Sequence, residues 1–387
     1  MSRGTLTPNP SPRGRGEQGR DPDRLPLSPW ERGTGGEGSP ASRKTSLRFA
    51  ALLALLAVFF VTSLASGSVA IPAADVLRIL AGGEAGPPSW TTIVHEFRLP
   101  RAVTALLAGA ALAVSGLLMQ TLFRNPLAGP YVLGLSAGAS LGAALVMLAA
   151  AGGAGAGLLA GLGLAGELGL VAAASLGAGA VLALVLLAAR RVSNLTLLIL
   201  GVLFGYAVSA LVTVLVYFSA AERIQAYLAW TFGSFGAVTW SELAVLAPAL
   251  AFGLAAAFVL AKPLNALLLG ERYAQSLGLT VRRARLAILL ATAVLAGGVT
   301  AFCGPVGFIG VAVPHLARGF FHAADHRALV PATALAGAVV ALFSDLVAQL
   351  PGSASSLPLN AVTALLGAPV IIAVILRRRG LEASFGP

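Results

Sequence analysis

Gly134-Leu135-Ser136-Ala137-Gly138 spells G-x-S-x-G, the pattern of a serine nucleophile, and His315 elsewhere in the chain would complete the invitation to read a hydrolase. That chemistry needs the serine on a strand-to-helix turn, and no segment alternates as a strand should. No oxyanion-hole loop is evident either. The same stretch reads better as packing, because Gly134, Gly138 and Gly142 at four-residue spacing clear one helix face for a neighbouring backbone, as Gly201 and Gly205 do again. His95, His315, His322 and His326 are scattered, with no Cys or carboxylate cluster at ligand spacing, so neither a metal site nor a cofactor is expected. Asp345, in SDLVAQL, lies in or near the end of an apolar span. It is either a functional group or an end position with water access, since burying an unpaired charge there is costly.

The nucleotide chemistry is also informative. The only lysines are Lys44 and Lys262, and neither ends a G-x-x-x-x-G-K-[ST] loop, so this chain carries no P-loop of its own. Transport driven by ATP would require a separate ATPase subunit.

The elements that must position these residues are membrane helices. Hydrophobic residues make up 57% of the chain and charged residues 11%, with a mean hydropathy of +0.87. A soluble core cannot absorb so much apolar sequence. At about 20 apolar residues per crossing, residues 47–380 hold about ten spans, placed at 47–66, 101–122, 130–151, 167–189, 195–217, 241–261, 286–302, 306–321, 329–349 and 359–376. The fold class is an all-α integral membrane protein, a polytopic bundle with broken helices. With a cytoplasmic N-terminus, ten crossings put nearly all basic residues, from Arg43 and Lys44 to Arg377, inside, and leave only Arg78, Arg98, Arg101 and Arg223 outside. The net charge of +11 is thereby explained by topology. The basic residues nowhere interleave with aromatics, which argues against nucleic acid as a partner. Cys303 is the single cysteine and reads as a small core residue.

Residues 1–46 form a tail rich in Arg, Gly, Pro and Ser, with the similar pieces SPRGRGE and SPWERGTGGEG. It is expected to be disordered, and its composition also fits a start codon placed too far upstream. No function is assigned to it.

Two interruptions stand out within the apolar sequence. Arg124-Asn125-Pro126 and Gly129-Pro130, followed by Gly134, break one span; Gly304-Pro305, followed by Gly307, Gly310 and Pro314, break another. Irregular backbone at membrane depth is tolerated only where protein or a water-filled path covers it, which points to a conduit. If the two breaks are related, the first opens from the inner side and the second from the outer side, as in an inverted repeat. The alternative is that Gly and Pro are simply frequent in membrane helices.

Residues 262–285, KPLNALLLGERYAQSLGLTVRRAR, are the longest polar stretch between spans and fall on the cytoplasmic side by charge. Their pattern predicts two short helices hinged at Gly270, a rigid knob for a peripheral partner where a bland loop would be short or Gly/Ser-rich. Arg98 and Arg101 flank Leu99-Pro100 at an outer helix start, against the prevailing charge rule. Their guanidinium forks suit an acidic extracytoplasmic protein, an anionic ligand or lipid headgroups.

RLPRAVTALLAGAALAVSGLLMQTLFRNPLAGPYVLGLSAGAS, GERYAQSLGLTVRRAR, GPVGFIGVAVPHLAR with DHRALVPA, and VTALLGAPV, in this order across residues 47–380, closely resemble the permease subunits of bacterial binding-protein-dependent ABC importers for iron-siderophores, haem and cobalamin, the FecCD type. The resemblance implies a ten-helix permease paired with a second permease chain, usually identical. Two cytoplasmic ATPase subunits and one extracytoplasmic substrate-binding protein complete such an importer. It implies that Gly270, Glu271, Arg272, Ala274, Leu277, Gly278 and Leu279 belong to a coupling element for the ATPase. Arg98 and Arg101 would then meet acidic residues of the binding protein. Ser193, Asn194 and Leu195 would form the cytoplasmic gate, with the span from 195 to 217 lining the path. The chain departs from the family at Gln349, where some members carry a further docking arginine, and at Asn360, where a glycine is common.

The expected function is therefore alternating access in an ATP-driven importer of the bacterial inner membrane, with both termini cytoplasmic and no bond chemistry in this chain. Two alternatives are an ion-gradient-driven secondary transporter, disfavoured by the scarcity of intramembrane carboxylates, and an intramembrane serine hydrolase acting through Ser136.

Overall fold

The computed structural model describes residues 40–149, 167–189, 191–350 and 356–384. The expectations for residues 1–39 of the tail, for the end of the 130–151 span and for Arg190 lie outside the described residues. Residues from Thr45 onward form one packed unit.

Among the described residues every regular element is helical. In chain order these are α1 (Pro40–Ala65), α2 (Ala73–Leu80), α3 (Pro88–Leu122), α4 (Leu135–Ala149), α5 (Glu167–Ala189), α6 (Asn194–Tyr217), α7 (Ala221–Thr231), α8 (Trp240–Val259), α9 (Ala261–Leu268), α10 (Glu271–Ser276), α11 (Val281–Cys303), α12 (Ile309–Phe321), α13 (His326–Ala348) and α14 (Leu359–Ser384). Eight of them are long and apolar enough to cross a membrane, while α4 and α12 are shorter. Each short helix directly follows one of the two breaks, whose irregular backbone takes up part of the depth a full span would use.

α3 is the axis of the bundle. Of its most apolar stretch 83% is buried, against 6% for α6, so α3 packs against protein all round while α6 presents most of its surface outward. Small residues make this possible, since close backbone approach rather than water exclusion drives helix association in lipid. A Cβ on Gly116 would collide with the Gly310 carbonyl of α12, and one on Gly109 with the Gly337 carbonyl of α13.

Several boundaries differ from those expected. α3 begins at Pro88 rather than 101 and runs 35 residues through Pro100. Proline lacks the N–H that would bond back into the preceding turn, and a π-helical turn at Ile93–Arg98 absorbs the mismatch. There the Leu99 N–H reaches back to the Val94 carbonyl, and the His95 carbonyl so released accepts from Trp240 Nε1 at 2.9 Å. The helix expected from 130 starts at Leu135, because Pro130–Leu133 form a 3-10 turn and Gly134 adopts φ 76°. Two short helices, α2 and α7, were not expected, being too short for a span-length hydropathy signal. α8 starts at a capping box in which Thr239 and Glu242 hold each other's backbone, a T-x-x-E pattern legible in the sequence.

Candidate functional site

The first break leaves α3 at Leu122. Asn125 Oδ1 accepts from the Leu127 N–H at 2.9 Å, an Asx-type turn that restarts the chain. The Pro126 carbonyl meets His315 Nε2 at 2.7 Å, and a Cβ on Gly310 would lie 2.6 Å from the Pro130 ring. The two breaks are therefore packed on each other: the first segment lies along α12, which itself begins at the second break. Gln120, buried on α3, completes this seam by donating to the Val311 carbonyl at 3.0 Å and accepting from Arg318 at 2.6 Å.

At the second break the accounting of backbone groups is close to complete. The Cys303 carbonyl accepts from the Ser234 N–H at 2.9 Å. The Val306 N–H donates to the Tyr131 hydroxyl at 3.3 Å. The Asn360 side chain takes the Gly307 N–H at 2.8 Å and donates to the carbonyls of Pro305 at 2.6 Å and Thr231 at 3.0 Å. Asn360, seen in the sequence only as a departure from a family pattern, is thus the pin that joins this break to the end of α7. Buried irregular backbone persists only when its groups are paired in this way.

The glycine ladder on α4 lies against α5. Gly138 faces the Gly177 carbonyl and Gly142 the Ala173 carbonyl, while Gly201 of α6 sits on the backbone at Val132 and Leu133. Ser136 is the second residue of α4, not the apex of a strand-to-helix turn, and the His315 ring nitrogen is on Pro126. The geometry of a nucleophile elbow is not present there.

Polar side chains gather at the two ends of the bundle. At one end Arg98 and Arg101 border the same cavity but bond to different partners. Arg98 is 8% exposed, and its guanidinium donates to the carbonyls of Leu64 at 2.8 Å, Ala65 at 3.0 Å and Val69. It closes the α1–α2 connection from within α3, which begins at Pro88, and this corrects the expectation that Arg98 stands at a helix start. Arg101 lies one turn along α3 and forms a two-pronged pair with Asp345 of α13, Nη2 to Oδ1 at 2.9 Å and Nε to Oδ2 at 2.9 Å. Gln349 donates to the same carboxylate at 2.8 Å. Asp345 is fully paired, so it is not an open proton or sodium site of the kind a secondary transporter needs. Arg101 and Arg98 border an open cavity of about 690 Å³, with Glu96, Thr239 and Gln349 also on its wall.

At the other end α9 and α10 form the two short helices of the 262–285 segment, hinged at Gly270 with φ 107°. Gly278, φ 84°, closes α10, with the Leu279 N–H returning to the Ala274 carbonyl at 3.0 Å. Ala274 is buried and Leu279 half-buried, whereas Arg272, Tyr273, Gln275 and Leu277 are exposed. Glu271 bonds back to the bundle while keeping 39% of its side chain exposed. Its Oε1 accepts from Asn194 Nδ2 at 2.6 Å and from Arg285 Nη2 at 3.1 Å. Ser193 is the N-cap of α6, accepting from the Thr196 N–H, and Leu195 is 70% exposed. Asn265 of α9 ties the same end to α13, donating to Asp325 at 2.6 Å and accepting from the His326 N–H at 2.9 Å. Asn265, Arg285 and Asn360 carried no signal in the sequence as partners, since what they join is far away along the chain.

The chain matches the FecCD transport family over residues 55–377. It is 41% identical over 332 residues to the vitamin B12 import system permease protein of Klebsiella pneumoniae subsp. pneumoniae, covering 85% of this chain and 93% of the relative. It is 37% identical over 324 residues to the protein of the same description in Citrobacter koseri, covering 82% and 94%. Among solved structures, a metal-chelate type ABC transporter in an inward-facing conformation superposes with a TM-score of 0.74 at 29% identity, covering 86% of this chain and 99% of that one.

Proposed function

Since the chain belongs to the FecCD transport family and is a transmembrane permease of an ABC importer, we propose that its substrate is a cobalamin and that it works as a pair of identical chains. The observation that carries the substrate reading is the 41% identity to a vitamin B12 permease along 93% of that protein's length. Iron-siderophores and haem are the competing substrates; the likeness to a metal-chelate type transporter suits all three, since each is a metal chelate.

In this reading the end with Glu271 faces the cytoplasm and the end with Arg101 faces outward, as the distribution of Arg and Lys favours. The protein sits in the inner membrane with both termini inside. α10, with Arg272, Tyr273 and Leu277 exposed, docks a cytoplasmic ATPase subunit, one for each permease chain. The rim at Arg101 and Glu96 receives an extracytoplasmic binding protein. The turn Ser193, Asn194 and Leu195 closes the path on the inner side. ATP hydrolysis belongs to the partner subunits, and this chain contributes two arrangements of its bundle, each favoured by a different nucleotide state. Nucleic acid has no place in this cycle.

The test is uptake into proteoliposomes that hold the permease with its cognate ATPase and binding protein. ATP-dependent accumulation of labelled cyanocobalamin, with none of ferric siderophore or haem, is the expected result. Accumulation of a siderophore complex instead would overturn the substrate reading, and uptake driven by an ion gradient without the ATPase would overturn the importer mechanism.

A further inference from the structure

We propose that Glu271 is the transmission residue of this permease, the group through which movement of α10 reaches the turn at Ser193–Leu195. The inference rests on reading α10 as the ATPase-docking helix and that turn as the gate, and it adds a physical link between the two.

One carboxylate oxygen gathers several helices. Glu271 Oε1 accepts from Asn194 Nδ2 at 2.6 Å, and the same nitrogen donates to the Leu122 carbonyl at the end of α3 at 3.0 Å. Oε1 also accepts from Arg285 Nη2 at 3.1 Å. Arg285, on α11, in turn donates through Nη1 to the carbonyls of Ala189, at the end of α5, and Val192, at 3.2 and 3.1 Å. Ala189, Val192 and Asn194 are therefore held by groups that converge on Glu271. Hydrogen bonds with an ionised partner are about twice as strong as neutral ones, so a displacement of Glu271 is passed on rather than absorbed.

Two further observations suit a moving part. Glu271 directly follows Gly270, whose φ of 107° is open to glycine and strained for other residues, so α10 can pivot against α9. Asn194 Oδ1 and Arg285 Nε are buried and lack a hydrogen-bond partner among the described residues. Buried groups left unpaired in one arrangement are costly and can gain partners in another, which is the property required of a two-state element.

The neighbouring residues divide the labour. Arg272, Tyr273 and Leu277 face outward and are available to a partner, whereas the Glu271 carboxylate bonds toward the bundle, with 39% of its side chain still exposed. Docking and transmission therefore rest on different residues of one short segment and are separable by substitution.

The decisive measurement uses the purified full-length permease in nanodiscs, spin-labelled at the exposed positions Thr196 and Gln275. The wild type is expected to give one narrow distance distribution, and Glu271→Ala and Asn194→Ala at least a twofold broader one. Glu271→Gln, which keeps the Oε1 acceptor but loses the carboxylate charge, should lie between wild type and the alanine variants. An unchanged distribution in both alanine variants would overturn the link, and should Glu271→Ala not fold, Asn194→Ala against Glu271→Gln decides it alone. In the complete transporter, ATP-dependent uptake of labelled cyanocobalamin should fall at least tenfold in Glu271→Ala while the ATPase still co-purifies. The Glu271→Ala/Asn194→Ala double variant should be no worse than either single. Loss of ATPase co-purification in Glu271→Ala would make Glu271 a docking contact and sink the inference. A wild-type complex without uptake would count against the proposed substrate and partners, leaving the spin-label result to decide the link.

Discussion

Arg101 and Asp345, 244 positions apart, meet in a two-pronged ion pair that joins α3 to α13 beside the open cavity. Asp345 is nearly sealed, with 2% of its side chain exposed, while Arg101 keeps 27%. The carboxylate is thus the buried partner and the arginine its bridge to the cavity. An aspartate that reads from sequence as a candidate transport group is instead a structural counter-ion.

Removing only one side of this pair leaves a buried charge, so Arg101→Ala is expected to destabilise by roughly 3–5 kcal/mol. Replacing both, as Arg101→Met with Asp345→Leu, should restore most of the loss. Thermal unfolding in detergent measures both. A double replacement less stable than Arg101→Ala would contradict the account.

Close approach of α3 and α12 depends on Gly116 and Gly310. A methyl at Gly116 points at the Gly310 carbonyl, a backbone atom that cannot rotate away. Gly116→Ala should therefore cost about 3 kcal/mol or more, at the upper end of the overpacking range. By contrast Gly179→Ala, where an added methyl meets nothing, should be tolerated. Comparing detergent-solubilised yield and melting temperature of the two variants distinguishes them, and equal behaviour would refute the close-approach argument.

Asn360 satisfies three backbone groups of the second break and the neighbouring turn. Asn360→Ala strands two carbonyls and an N–H, each worth about 1–3 kcal/mol when buried and unpaired, so a loss of at least about 2 kcal/mol is expected. Faster amide exchange at Gly307 and Val306 in Asn360→Ala would locate the damage at the break. No change in exchange there would show that the side chain is dispensable.

Asp325 caps α13, and its carboxyl is held below the usual carboxylate range, first by the Arg327 N–H and then by Asn265. A lowered folded pKa means that the stabilisation is present above the ordinary carboxylate pKa and is lost as pH falls through the folded value. Asp325→Ala should cost about 1 kcal/mol near neutral pH, as for other N-caps, and the gap to wild type should close below about pH 4. Melting curves taken across that range check it; a gap that widens on acidification would reverse the sign and reject the assignment.

Much of this architecture was legible in the chain, and the limits of that reading have a common cause. The breaks at Gly129-Pro130 and Gly304-Pro305 and the paired short helices around Gly270 are signals carried by neighbouring residues, because hydropathy and backbone preference are local properties. The path of α3 through Pro100 was not legible, since it depends on a π-turn whose freed carbonyl is answered by Trp240, 145 positions away. The same holds for Asn360, whose partners lie on α7 and at the second break.

The sequence by itself determined a polytopic helical permease with two interrupted spans, a knob between spans, and no ATPase motif of its own. Tertiary structure alone decided which polar residues belong together: Arg98 with the α1–α2 carbonyls, Asp345 with Arg101, and Glu271 with Asn194. The physical reason is that a buried charge must find a partner wherever the packed helices bring one, and packing brings together residues that the chain keeps far apart.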